Sequence, residues 1–145
     1  MIAVDTNILV YAVRQESPFH GAALKLLTAL AGTHTPWAIP WPCAYEFLRI
    51  VTHPRLFTTP ASSQDAIRTL NELRESPSLV MLGDGPSHAR YMTLAIRESE
   101  ATGNLVHDAH IAALCLEHGV SEIYTMDRDF ARFRRLKVTR PFADR

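Results

Sequence analysis

Short apolar runs alternate with longer amphipathic stretches along this chain. Runs rich in β-branched or aromatic residues, typical of buried strands, occupy residues 2–4, 37–39, 79–82, 122–125 and 137–139. Strands that alternate with helices, without the turn signals of hairpins, predict a parallel sheet covered by helices on both faces. We therefore expect an α/β fold, a three-layer α/β/α domain whose central parallel sheet has about five strands.

The stretches between these runs carry apolar residues at helical spacing. They lie at residues 22–30, 43–51, 66–73, 87–101 and 104–118. Ser62 or Ser63 is a candidate N-cap for the third of these helices, and Ser87 for the fourth. Gly103 is expected to close the fourth helix and Gly119 the last one, since glycine favours the left-handed conformation found there.

Four acidic residues occupy positions where acids are least expected. Asp5 and Asp127 directly follow predicted strands, whereas Glu46 and Asp108 lie at the margins of the apolar faces of two predicted helices. In open parallel sheets, functional groups gather beyond the carboxyl ends of the strands, so we expect the four to converge. The simpler alternatives are a surface ion pair between Glu46 and Arg49 and a polar contact of Asp108 with a neighbouring helix end.

Converging carboxylates need a counter-charge. Two of them about 5 Å apart repel by about 3 kcal/mol at an effective dielectric constant near 20. The sequence places no lysine among the four acids, so a divalent cation bound by oxygen ligands, Mg²⁺ or Mn²⁺, is the expected solution. Such a cation activates water for attack on a phosphodiester.

The charges are distributed unevenly along the chain, although their formal sum is zero. The formal net charge is zero, yet residues 128–140 contain six cations and one anion, whereas residues 1–127 contain eight cations and thirteen anions. A basic segment that borders an acidic metal site is typical of nucleic-acid cleavage, although an ordinary solvated surface would look the same. The residues expected to bind the nucleic-acid backbone are Arg128, Arg132, Arg134, Arg135 and Lys137.

Length and composition indicate one domain, spanning residues 1–145, with an apolar fraction of 47%. No apolar run approaches the roughly 20 residues of a membrane helix, and the N-terminus lacks the pattern of a signal peptide. Cys43 and Cys115 are far apart in sequence and are expected to be reduced, buried thiols. We therefore expect a cytoplasmic protein.

Four motifs occur in a fixed order along the chain. They are V-D-T-N at 4–7, Y-E-F-L-R at 45–49, H-D-A-H-I-A-A at 107–113 and T-M-D-R-D-F at 125–130. Over nearly its whole length the chain resembles the PIN-domain nucleases, in particular VapC-type toxins. The resemblance implies that Asp5, Glu46, Asp108 and Asp127 bind the metal, with Asp129 as an auxiliary acid. It also implies that Thr6, Asn7 and Thr125 orient these carboxylates.

The same resemblance implies an endoribonuclease that acts as the toxin of a type II toxin–antitoxin module, leaving a 3′-hydroxyl and a 5′-phosphate. It further implies a homodimer and an antitoxin whose C-terminal segment lies along the early helices. Trp37, Trp41, Leu56 and Phe57 are candidates for lining that groove, with the alternative that both tryptophans are core residues.

Three other interpretations stay open at this point. The chain could be a housekeeping PIN nuclease of RNA maturation, or a phosphoryl-accepting receiver domain with Asp84 as the acceptor. Receiver domains, however, need paired acids after the first strand, where this chain has Asp5 alone. A zinc site at His107 and His110 is the third, and it is disfavoured because both residues face away from the apolar side of their helix.

Overall fold

A computed structural model describes residues 1–142 of the chain. The five strands are β1 (Ile2–Val4), β2 (Trp37–Pro40), β3 (Leu79–Leu82), β4 (Glu122–Tyr124) and β5 (Lys137–Thr139). The six helices are α1 (Thr6–Val13), α2 (His20–Ala31), α3 (Trp41–Val51), α4 (Ser63–Arg74), α5 (His88–Ser99) and α6 (Leu105–Glu117). A 3-10 helix covers Arg128–Arg132. The last three residues of the predicted single domain lie outside the described part.

All five strands form one parallel sheet in the order β3-β2-β1-β4-β5. In the centre, Ile2 of β1 pairs with Trp37 of β2 on one side and with Glu122 of β4 on the other. The predicted α/β fold with a parallel sheet of five strands is therefore confirmed. From β1 the chain builds the sheet outward in one direction through β2 and β3, and then in the other direction through β4 and β5. Ligand sites of open parallel sheets form beyond the strand ends at such a switch point, which here lies between β1 and β4.

Helix α1 was missed by the sequence pattern. Six of its eight residues are apolar, and most of the eight, including Ile8, Leu9 and Val10, are buried. A helix that is buried on most sides has no polar face, so the periodicity that reveals amphipathic helices is absent. Asp5 begins this helix as its N-cap, with its side chain accepting a hydrogen bond from the Thr6 amide.

The ends of two other helices test the predicted caps. At α4, the Ser62 hydroxyl accepts a 3.1 Å hydrogen bond from the Asp65 amide, as expected of an N-cap. Helix α5 ends earlier than predicted, because Glu100 adopts a left-handed conformation with φ of 53° and its amide bonds back to Ile96. Gly103, with φ of 56°, forms the following turn into α6 instead of closing α5.

The core runs continuously on both faces of the sheet. Cys43 and Cys115 are buried in it as free thiols, and burial raises the pKa of both. Trp37 is 1% exposed, so the core alternative is right for this residue. Trp41 is partly buried beside the core and stacks on Tyr45. Across residues 1–142, no helix combines the length and apolarity that a membrane crossing requires.

Candidate metal centre and catalytic site

Asp5 lies at the end of the central strand and is held by four donors. Its Oδ1 accepts hydrogen bonds from the Thr6 amide at 2.7 Å and from the Cys43 thiol at 3.4 Å. Its Oδ2 accepts from the Thr125 hydroxyl at 2.7 Å and from the Asn7 amide group at 3.4 Å. Burial raises the pKa of Asp5 above its usual value, whereas the hydrogen bonds act in the opposite direction.

The segment that follows β4 is tied to this same network. Asn7 donates to the Thr125 hydroxyl through Nδ2 and accepts from the Met126 amide through Oδ1. The Thr125 hydroxyl also accepts a 3.0 Å hydrogen bond from the amide of Asp127. Hydrogen bonds thus fix the ends of β1 and β4 relative to each other, which determines where Asp5 and Asp127 lie. Thr6 makes a long hydrogen bond of 3.4 Å to the Cys43 carbonyl instead of reaching an acid through its hydroxyl.

Three further acids lie close together at the same end of the sheet as Asp5. Asp108 on α6, Asp127 after β4 and Asp129 in the 3-10 helix each offer a carboxylate oxygen, and these oxygens lie within 4.8 Å of one another. Asp127 also accepts a hydrogen bond from the Asp129 amide, which holds the two acids of this turn in register. Asp129 is therefore closer to the centre of the site than its auxiliary place in the motif indicates.

Asp108 is sensitive both to its burial and to the neighbouring negative charges. Burial, followed by the charges of Asp127, Asp5, Asp129 and Glu46, raises the pKa of Asp108 to about 7. The charges of the other four predicted acids all act on Asp108, so the five lie close enough to interact electrostatically.

Glu46 is held differently from the other acids. Its Oε2 lies 2.6 Å from Nε2 of His107, and its Oε1 lies 3.2 Å from the Arg49 guanidinium. The alternative partner expected from the sequence, Arg49, is therefore one of two actual partners. Glu46 still lines the cavity that contains the four aspartates, but its charge is compensated locally.

The donor set fits a hard divalent cation. Asp108, Asp127 and Asp129 supply closely spaced carboxylate oxygens, and Asp5 adds a buried carboxylate at the same end of the sheet. The pKa of Asp108 is raised first by burial and then by repulsion from the other acids, and a cation there would offset the repulsion. Oxygen-only ligands of this kind suit Mg²⁺ or Mn²⁺ better than softer metals.

The five acids line a cavity of about 1120 Å³ that is open to solvent. Arg49, expected from the sequence to be a surface partner of Glu46, also lines this cavity. The predicted RNA-binding cations are all exposed but lie outside this lining. They are Arg128, Arg132, Arg134, Arg135 and Lys137. Lys137 pairs with Glu122 at 3.1 Å, and Arg132 reaches the Ser99 carbonyl.

Two residues outside the predicted group of site residues contact the predicted acids. His107 bonds to Glu46, and the Cys43 thiol bonds to Asp5. Their positions in the sequence give only a weak indication that they belong to the site. Cys43 lies one helical turn before Glu46, and His107 directly precedes Asp108. Their partners come from other elements, however, and only the packing of α3 against α1 and α6 reveals them.

The structure also resolves two of the alternatives. His107 and His110 bond to different acids, Glu46 and Asp84 respectively, so they do not form the zinc pair considered from the sequence. Asp84 follows β3, which is an edge strand, and its partners are histidines instead of the acids near β1. It is therefore not placed as the acceptor of a receiver domain.

Comparison with known proteins agrees with this geometry. The family model of the PIN domain matches residues 2–136. VapC ribonuclease Mb2897 of Mycobacterium bovis is 38% identical over 97% of this chain and 95% of its own length. Ribonuclease VapC48 of Mycobacterium tuberculosis is 33% identical over 96% of both chains. The chain therefore belongs to the PIN-domain family, and within it to the VapC group of these relatives.

Solved structures show the same fold. VapBC2 from Rickettsia felis, bound to a DNA fragment from its promoter, contains a chain with a TM-score of 0.70 and 20% identity. That likeness covers 96% of this chain and 98% of the other. FitAcB from Neisseria gonorrhoeae gives a TM-score of 0.66 at 15% identity and covers 97% and 98%. The three-layer α/β/α architecture is thus shared well beyond recognisable sequence similarity.

Proposed function

We propose that the protein is a Mg²⁺- or Mn²⁺-dependent endoribonuclease and the toxin of a toxin–antitoxin pair. The observation that carries this proposal is the group of carboxylates from Asp108, Asp127 and Asp129, beside buried Asp5 at the switch point of the sheet. The names of its relatives, which call them ribonucleases, support the activity.

The chain's own residues have separate tasks in this reaction. Asp108, Asp127 and Asp129 would hold the cation together with Asp5, and Thr125 and Asn7 fix the orientation of Asp5. A bound Mg²⁺ or Mn²⁺ would lower the pKa of water and offset charge on the phosphate. The open cavity gives a single RNA strand access to these carboxylates.

His107 and Arg49 restrain Glu46 at the wall of the cavity. Because Glu46 is ion-paired in this arrangement, we assign it a positioning role at the edge of the metal site. Arg49 lines the same wall, where its guanidinium is placed to attract a phosphate as the strand enters. The exposed cations from Arg128 to Lys137 would then bind backbone phosphates of the RNA outside the cavity.

A second cavity supports the partner assignment. It has a volume of about 280 Å³, lies between α1, α2 and α4, and is lined mainly by apolar side chains, among them Leu9, Val13 and Leu24. Val13 and Leu24 are exposed. An antitoxin segment that follows the early helices would bury them. The structures of VapBC2 and FitAcB support such a partner. We also propose that the protein forms a homodimer and acts in the cytoplasm.

The test is inducible expression of the wild type beside Asp108→Asn and Asp5→Asn, followed by incubation of the purified proteins with total RNA. We expect growth arrest and RNA cleavage by the wild type, with cleavage lost in both variants and in the presence of EDTA. Asp65→Asn, which removes an exposed acid of α4, is the matched control and should behave as the wild type.

Cleavage that survives EDTA, or equal growth arrest by Asp108→Asn, would contradict the metal-dependent mechanism. A housekeeping role in RNA maturation predicts a different pattern. In that case wild-type expression would leave growth unaffected, although cleavage of RNA in vitro would still require the metal.

A further inference from the structure

A second group of potential metal-binding side chains has two members in the lining of the cavity that the five acids line. Asp84 follows β3, His88 begins α5 and His110 lies on α6. Each offers one donor atom, and the three atoms lie within 4.8 Å of one another. Two imidazoles and one carboxylate form a ligand set for a borderline transition metal, which differs from the oxygen-only set around Asp108.

The distances to Asp84 match a tetrahedral site. Oδ1 of Asp84 lies 3.1 Å from Nε2 of His110 and 3.6 Å from Nε2 of His88. Zinc–ligand bonds of about 2.0–2.2 Å place neighbouring tetrahedral ligands about 3.3 Å apart. Both separations are therefore close to those between two ligands of one Zn²⁺.

The loop that carries Asp84 is anchored on both sides. The buried carboxylate of Glu117 accepts hydrogen bonds from the amides of Gly85 at 3.0 Å and Ser87 at 2.9 Å. His118 bonds through Nε2 to the Gly83 carbonyl at 2.7 Å. A Cβ atom at Gly85 would lie 2.5 Å from Oε2 of Glu117, so the loop packs closely on that carboxylate. Asp84 is thus positioned before any metal binds.

One ring nitrogen of His88 provides an independent observation. Nδ1 is buried and has no hydrogen-bond partner within residues 1–142, while Oε1 of Glu117 lies 3.8 Å away. A histidine that binds metal through one nitrogen usually donates its other N–H to a carboxylate. Coordination through Nε2 would leave Nδ1–H facing Glu117, so a small movement of the ring would satisfy the orphaned nitrogen.

We propose that Asp84, His88 and His110 form a second metal site that binds Zn²⁺ in preference to Mg²⁺, with Glu117 orienting His88. Three protein ligands leave a fourth coordination position for water or another ligand. The Asp84 side chain is 62% exposed, and Asp84 and His110 line the large cavity. Zn²⁺ therefore reaches the site from solvent at the border of the cavity.

The experiment uses the full chain, stripped of metal and then held in excess Mg²⁺ to occupy the acid group. Titration with Zn²⁺ against a chromophoric chelator should show one saturable Zn²⁺ per chain. His88→Gln and His110→Gln should each weaken that binding by about tenfold or more. His34→Gln, at an exposed histidine of another loop, and Asp108→Asn should leave it unchanged.

A second readout identifies the ligand atoms. Imidazole ¹⁵N spectra of the Zn²⁺-loaded protein should show coordination at Nε2 of His88 and His110, and Glu117→Gln should weaken binding less than loss of a ligand. Absence of saturable binding, binding as tight as that of the wild type in the His88→Gln or the His110→Gln variant, or loss of binding in Asp108→Asn would each overturn the proposal. None of these outcomes depends on nuclease activity.

Discussion

The Thr125 hydroxyl donates a 2.7 Å hydrogen bond to Oδ2 of Asp5, across 120 residues of sequence. Thr125 is 0% exposed and Asp5 is 5% exposed, so water does not compete for this contact. The same hydroxyl accepts from the Asp127 amide. One buried side chain therefore links the acid at the end of β1 to the acid that follows β4.

Thr125→Val should weaken binding of Mn²⁺ by about tenfold to a hundredfold, because the Asp5 carboxylate loses the bond that fixes its orientation. The variant should also lose about 1–3 kcal/mol of stability, since a buried carboxylate oxygen is left with one weaker partner. Isothermal titration with Mn²⁺ and urea unfolding measure the two effects. Thr125→Ser, which keeps the hydroxyl, is the control. If Thr125→Val bound Mn²⁺ as tightly as the wild type does, Asp5 would not need this hydrogen bond.

His107→Leu should reduce the rate of RNA cleavage by about tenfold to a hundredfold, because Glu46 then loses its shorter hydrogen bond and keeps only Arg49. Mn²⁺ affinity should change much less, since Glu46 is not among the three closely grouped carboxylates. His107→Gln, which retains a donor, should recover part of the rate. If His107→Leu lowered metal affinity as much as cleavage, Glu46 would have to bind the metal directly.

The pKa of Asp108 predicts how the metal-free protein responds to pH. Because its folded-state pKa is raised to about 7, from an ordinary value of 3.8, the folded protein binds more protons than the unfolded chain between these values. Ionised Asp108 therefore destabilises the fold above about pH 7, and this penalty disappears as the pH falls toward 4. Asp5, whose pKa is also raised, acts in the same direction.

The thermal midpoint of the metal-free wild type should accordingly fall by a few degrees between about pH 5 and about pH 8. Asp108→Asn should show a shallower dependence, and saturating Mg²⁺ should restore most of the loss at the higher pH. Differential scanning calorimetry in matched buffers measures these midpoints. Identical pH profiles for wild type and Asp108→Asn would refute the assignment of this pH dependence to Asp108.

The sequence predicts those parts of the fold and site that depend on neighbouring residues. It does not predict those that depend on contacts between distant segments. Strand positions are local, since β1 and β4 appear as apolar runs that end at Asp5 and Asp127, and a parallel sheet brings such ends together. The bonds of Glu46 to His107 and of Asp84 to His110 join different elements. No sequence period encodes those distances, because they depend on how α6 packs against its neighbours. Helix α1 is a local element, yet the sequence does not predict it. Its burial removes the alternation of polar and apolar faces by which a helix is recognised.

The basic segment after β4 supplies the last prediction. Arg134 and Arg135 are exposed and lie outside the lining of the acidic cavity. Alanine at both positions should weaken RNA binding and reduce the slope of log affinity against log salt by about 1 to 2, since each phosphate contact contributes roughly 0.7–0.9. Mn²⁺ affinity should not change. Arg55→Ala with Arg68→Ala removes the same charge from exposed positions elsewhere, and it should have a smaller effect on the slope. If both double variants gave the same slope, net charge alone would explain the salt dependence and the segment would have no specific part in RNA binding.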